Sequence, residues 1–142
     1  MTDTSVPHTD PGLEGNEKIE AAILALQQEA SQELLAHALT VLRRRMREKG
    51  QLILAVEPSP GKEQFALKTI QTPDGNLWLA AFTRFEEQNR GGGSVMSRFL
   101  ADMDTLFPYA IPTDGIHGII LNPWNRTLML DKTLLQIILG SN

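Results

Sequence analysis

The hydrophobic period of this chain changes at Gly50. Upstream, Ile19, Ala22, Ile23 and Leu26 recur at i, i+3, i+4 and i+7, one apolar face of a helix. Leu35, Ala38, Leu39, Leu42 and Met46 form a second such stripe. Downstream, the apolar residues gather in short runs bounded by Gly, Pro, Asn and Asp, the pattern of strands and turns. Amphipathic helices followed by strands must bury their faces against one another, so the reading is α+β.

Met1 to Gly15 carries only Val6 and Leu13 as apolar residues after the start and is read as a disordered tail. Asn16 is the expected N-cap of the first helix, with Glu17 and Glu20 placed to favour its dipole. Ser31 is a candidate cap for a second helix. Nothing near Ala30 is a strong breaker, so one helix or two both stay open over residues 16–49. Arg43, Arg44, Arg45, Arg47 and Lys49 have the right sign for a helix C-terminus, and Gly50 suits the left-handed position after it.

Gln51–Val56 reads as a buried strand and Gln64–Ile70 as a second. Pro73-Asp74-Gly75-Asn76 is a turn, and Leu77–Thr83, apolar on both faces, is a central strand. These three form a β-meander. Arg84–Arg90 reads as a short helix ended by Gly91-Gly92-Gly93. Ser94 is the expected cap of a helix carrying Val95, Phe99, Met103 and Leu106. Phe107–Pro112 is read as irregular or a short edge strand because of its prolines. His117–Leu121 and Arg126–Leu130 form a C-terminal hairpin, and Asp131 caps a last helix that ends at Gly140. The expectation is a sheet of about five strands, mixed or antiparallel, packed against helices, with an N-terminal helical pair. One domain spans residues 16–140.

The 142 residues carry a net charge of −4, which argues against general nucleic-acid or anionic-membrane binding. No cysteine is present, which excludes disulfides, thiol catalysis and Cys-based metal sites. No apolar stretch approaches the roughly 18 residues of a membrane span, and the first residues lack the apolar core of a signal peptide.

His8, His37 and His117 show no two-histidine metal spacing, so no metal or cofactor is expected. His117 lies near Asp114 at a strand entrance, where a carboxylate would orient its ring; the ordinary reading is a surface histidine at a turn. Gly91-Gly92-Gly93-Ser94 lacks the lysine of a phosphate loop and reads as a linker. Asp102 and Asp104 point apart on the expected helix and form no carboxylate dyad. Arg43 and Arg47 share a helix face, and the run around them reads first as a solvated helix end. Trp78 belongs to a strand core. Trp124, at the tip of the Asn122–Asn125 turn, is the exposed aromatic candidate, a residue type enriched at binding hot spots.

Asp74-Gly75-Asn76-Leu77-Trp78-Leu79-Ala80-Ala81-Phe82-Thr83, then Gly118-Ile119-Ile120-Leu121-Asn122-Pro123 and a closing helix, resemble the N-terminal domain of the SseB family, bacterial proteins linked by name to enhanced serine sensitivity. The resemblance rests on a strand ending in Phe82-Thr83 before an acidic segment, and on a glycine-containing strand ending in Leu121-Asn122-Pro123. It implies a cytoplasmic α+β domain with no agreed catalytic centre, so no catalytic residues carry over.

Three functions are therefore weighed. The first is a non-catalytic domain that binds a protein partner through Trp124 or through the helical half bearing Arg43 and Arg47, with self-association left open. The second is a small-ligand or enzymatic site at the strand ends, built from Thr83, Asp114, His117 and Asn122. The third is a nucleic-acid adaptor using the arginine helix, ranked last because the chain is acidic and no aromatic residues interleave there.

Overall fold

The computed structural model describes residues 11–58, 65–85 and 97–140. The two N-terminal apolar stripes form two helices, α1 (Glu17–Gln28) and α2 (Gln32–Arg47). The break comes at Glu29, which turns extended, and Ser31 opens α2 by accepting the Leu34 N–H at 3.1 Å. The packed chain begins ahead of α1. Pro11–Leu13 makes a 3-10 turn, and the Gly12 carbonyl accepts a hydrogen bond from Arg45. That is earlier than the boundary expected at residue 16, because Leu13 has an apolar cluster to pack on.

The end of α2 departs from expectation. Lys49, not Gly50, takes the left-handed conformation (φ 66°), and its N–H reaches Met46 O while Gly50 N reaches Arg45 O at 2.8 Å. This is the paired bonding of a Schellman motif with lysine in the glycine position. Gly50 is required for a different reason: a Cβ there would lie 2.7 Å from the Arg45 carbonyl oxygen.

Among the described residues seven strands follow: β1 (Gln51–Pro58), β2 (Phe65–Leu67), β3 (Thr69–Gln71), β4 (Leu77–Ala81), β5 (Ser97–Asp102), β6 (Gly118–Leu121) and β7 (Leu128–Asp131). They make a three-stranded sheet ordered β2-β1-β5 and a four-stranded sheet ordered β3-β4-β6-β7. All pairs are antiparallel except β4 with β6. The expected five strands become seven partly because the stretch read as one strand over 64–70 bends at Lys68. Its N–H bonds Ala55 of the first sheet and its carbonyl accepts from Ala80 of the second. A second joint, the reciprocal Ile53–Phe82 pair at 2.9 and 3.0 Å, ties β1 to the end of β4.

Of the helix expected from Val95 to Leu106, the start and its Ser94 cap lie outside the described residues, and from Ser97 on it is replaced by β5 and then α3 (Met103–Ala110). Residues 97–102 instead satisfy the open edge of β1, in the register Leu52↔Ala101 and Leu54↔Phe99. Pairing across the sheet overrides a weak helical period. Phe107–Ala110, expected to be irregular, is helical. Met103, Leu106, Phe107 and Ala110 bury one face at i, i+3, i+4 and i+7, which outweighs the donor that Pro108 lacks. The last helix, α4 (Lys132–Leu139), is capped by Asp131 and ended by Gly140 (φ 82°), as expected. The short helix expected at Arg84–Arg90 and the glycine run after it fall almost wholly outside the described residues.

Among the described residues, the four helices α1 to α4 pack on one side of the sheets. Ile19, Ile23, Leu42, Met46, Phe107 and Leu135 meet Leu52, Leu79, Leu121 and Leu130 in the main core. Truncating Phe107, fully buried there, to alanine costs about 3–5 kcal/mol. The opposite side holds a smaller cluster of Ile53, Trp78, Ala80, Phe82 and Ile120.

Candidate functional site

Five polar or charged residues are buried among the described residues: Asn16, Glu20, Arg45, Thr83 and Asn122. They form a single hydrogen-bonded cluster. Thr83 follows β4 and Asn122 follows β6, and because these strands run parallel the two residues emerge side by side at their carboxyl ends. Asn122 Oδ1 accepts the Thr83 N–H at 3.0 Å and its Nδ2 donates to Thr83 Oγ1 at 3.0 Å. Thr83 Oγ1 in turn donates to Glu20 Oε2 at 2.6 Å. Asn16 Nδ2 donates to the carbonyls of Gln51 and Thr83, and its Oδ1 accepts from Arg45 Nε.

The charges in the cluster balance. Arg45 pairs with Glu48, and the half-exposed Arg84 pairs with Glu20, both at 3.0 Å. Two cations against two carboxylates leave little local field, and burial is tolerated because each charge has a partner. Carboxyl ends of parallel strands are where open α/β sheets collect ligands. Here the polar groups at that end engage one another, so the cluster braces the two loops that carry the Phe82-Thr83 and Leu121-Asn122-Pro123 motifs.

The four residues read as a strand-end site therefore separate. Thr83 and Asn122 are joined and buried, whereas Asp114 and His117 are exposed before the opposite end of β6. The His117 ring packs on Trp78, centroids 4.8 Å apart, and the His117 backbone N–H donates to the Leu77 carbonyl. His117 also lines a cleft of about 230 Å³ with Ile116, Asp131, Lys132 and Thr133. The Lys132 ammonium there donates to Thr113 O. Nearby, the Asp74 carboxyl is held below its ordinary range by hydrogen bonds from Thr72 and Asn76, with His117 a lesser contributor.

Trp124 is 38% exposed and lies on Phe82, which is wholly buried, with centroids 5.5 Å apart and rings 21° from parallel. Lys68 Nζ sits 5.7 Å from the Trp124 ring centroid. The turn under it is fixed by Asn125 N to Asn122 O and by Thr127 Oγ1 to Asn122 O at 2.6 Å, which moves β7 two residues later than expected. Met129, 38% exposed, pairs with Ile120 on the same face of the outer strand β7.

Arg43 and Arg47, expected to act together, have different surroundings. The Arg43 guanidinium donates to the carbonyls of Ile137 and Ile138 at the end of α4, where a cation complements the helix dipole. Arg47 is exposed. Asp102 accepts from Gln51 and Asp104 pairs with Lys49, so these two aspartates also go to separate partners.

Sequence reasoning missed Glu20 and Arg45 as cluster members and gave Asn16 a capping role. The structure corrects that role: Asn16 occupies the cap position in helical geometry but makes no side-chain cap bond. A signal was present. Arg45 falls at i+3 from Leu42, inside the apolar stripe of α2, and Glu20 falls at i+4 from Asn16 on the face of Ile19 and Ile23.

Among the described residues, no group of three or more His, Asp or Glu is placed to hold a metal ion, and no helix is long and apolar enough to cross a membrane. The family model described as the SseB protein N-terminal domain matches residues 19–136. No curated protein and no solved structure matches the chain.

Proposed function

Because the chain belongs to the SseB protein N-terminal domain family, we propose that it is a non-catalytic, cytoplasmic protein-interaction domain whose contact surface centres on Trp124. The cytoplasmic placement rests on what the family resemblance implies. One observation carries the interaction reading: an exposed indole stacked on a buried Phe82, on a turn whose backbone is held by Asn122 and Thr127. A large aromatic surface fixed before binding loses little entropy on complex formation, which is how tryptophan anchors gain their weight at interfaces. Met129 extends the apolar area on the same face. Against an enzymatic reading, Thr83 and Asn122 direct their polar groups at each other and at Glu20.

Site-specific photocrosslinking tests this reading. A photoreactive side chain introduced in place of Trp124 should capture one partner protein in cells of the source organism. The same group introduced in place of Asp114, exposed before the opposite end of β6, should not. Equal capture from both positions would sink the assignment of the surface.

A further inference from the structure

We propose that the outward face of α2 is a self-association surface, pairing antiparallel with the same helix of a second copy about a two-fold axis through Thr40. Viewed down α2, Glu33, Ala36, Thr40, Arg44 and Arg47, at steps of three and four, point away from the core, with His37 exposed beside them. Glu33 lies seven residues before Thr40 and Arg47 seven residues after it. In an antiparallel helix pair, positions equidistant from the axis face each other across the interface. Glu33 of each copy then meets Arg47 of the other, twice by symmetry. Neither residue has an ion-pair partner among the described residues, and both are exposed.

The centre of this face permits close approach. Ala36 and Thr40 are small, and beside them a cleft of about 210 Å³ runs between α2 and α4, lined by Ala36, Leu39, Thr40, Arg43 and Ile137. Ile137, 45% exposed, is an aliphatic side chain next to the axis, where two-fold pairing would cover it with its own counterpart. The matched charges select the second copy as occupant. A net-acidic chain is repelled by another in general, yet α2 carries its acid in the first turn and its bases in the last. An antiparallel copy is the arrangement that converts this asymmetry into attraction.

Sedimentation velocity across a concentration series tests it with the full chain. The wild type should show a monomer–dimer equilibrium. Arg47→Glu and Glu33→Arg should each weaken it by roughly tenfold to a hundredfold, because each reversal places two like-charge contacts in the interface. The double variant Glu33→Arg with Arg47→Glu should restore the dimer. Circular dichroism should show all three folded, since both side chains are exposed. Trp124→Ala should dimerise like the wild type, which separates this surface from the one proposed above. A chain that stays monomeric, a dimer indifferent to both single reversals, a double variant that fails to recover, or a dimer lost on Trp124→Ala would overturn the proposal.

Discussion

Asn122 grips Thr83 by two bonds, taking the Thr83 N–H on Oδ1 and giving an N–H to Oγ1, each at 3.0 Å and across 39 residues of chain. The ends of β4 and β6 thus meet through side chains as well as through the parallel strand pairing. Asn122 also carries φ 46°, a conformation that asparagine tolerates better than most residues.

Replacing Asn122 with alanine should lower unfolding free energy by about 3 kcal/mol, from an orphaned Thr83 N–H and the added left-handed strain. Asn122→Gly loses the same bonds without that strain and should be about 1 kcal/mol less damaging. Urea denaturation of the pair measures the difference directly.

Gly118 has no room for a side chain. A Cβ would stand 2.0 Å from the Leu130 carbonyl oxygen across the β6–β7 pair. Gly118→Ala should therefore cost about 1–3 kcal/mol or more through forced backbone displacement, read as a lowered thermal midpoint.

At the end of α2, Lys49 and Gly50 make opposite predictions. Lys49→Gly removes left-handed strain worth about 1 kcal/mol and should raise the melting temperature, less what the exposed pair with Asp104 contributes. Gly50→Ala should lower it, by about 1–3 kcal/mol, because the new methyl meets the Arg45 carbonyl. If glycine were needed at position 50 for its φ, Lys49→Gly would bring no gain.

The Lys49–Asp104 pair also sets a pH response. The hydrogen bond from Lys49 holds the Asp104 carboxyl below its ordinary value, and the same bond raises the Lys49 ammonium above its own. The pair's contribution is fully present above the ordinary carboxylate range and is lost as pH falls through the depressed Asp104 value. On the basic side it is present below the ordinary lysine value and is lost as pH rises through the raised one. Asp104→Asn should flatten the acid limb of a stability–pH curve relative to the wild type. An unchanged acid limb would show that the pair is not formed in solution.

Much of the fold was legible in the chain. The stripes of α1 and α2, the Asp74-Gly75 turn, the Asp131 cap and the Gly140 stop are local signals, and each appears where its chemistry placed it. The misread stretch, residues 97–110, depends on a partner far away in sequence. Residues 97–102 become a strand because β1 offers them an edge, and α3 tolerates Pro108 because its other face is buried. The bend at Lys68 is invisible for the same reason, since it exists only between two sheets. The exposure of Trp124 was readable from its place in a turn. The partnership of Thr83, Asn122, Asn16, Glu20 and Arg45 was not, because parallel pairing of β4 and β6 alone brings the two strand ends together. Arg43, read as a contact residue, was beyond local reasoning because its acceptors lie on α4.

Trp124 is proposed as a pre-positioned anchor for a protein partner. The most direct test is affinity capture from a lysate of the source organism with immobilised wild type and Trp124→Ala side by side, at low and high salt, followed by mass spectrometry. The expected result is a protein retained near-stoichiometrically by the wild type at both salts and lost from Trp124→Ala, with the variant's melting temperature showing that it is still folded. A partner retained equally by both proteins, or no retained protein at either salt, would contradict it.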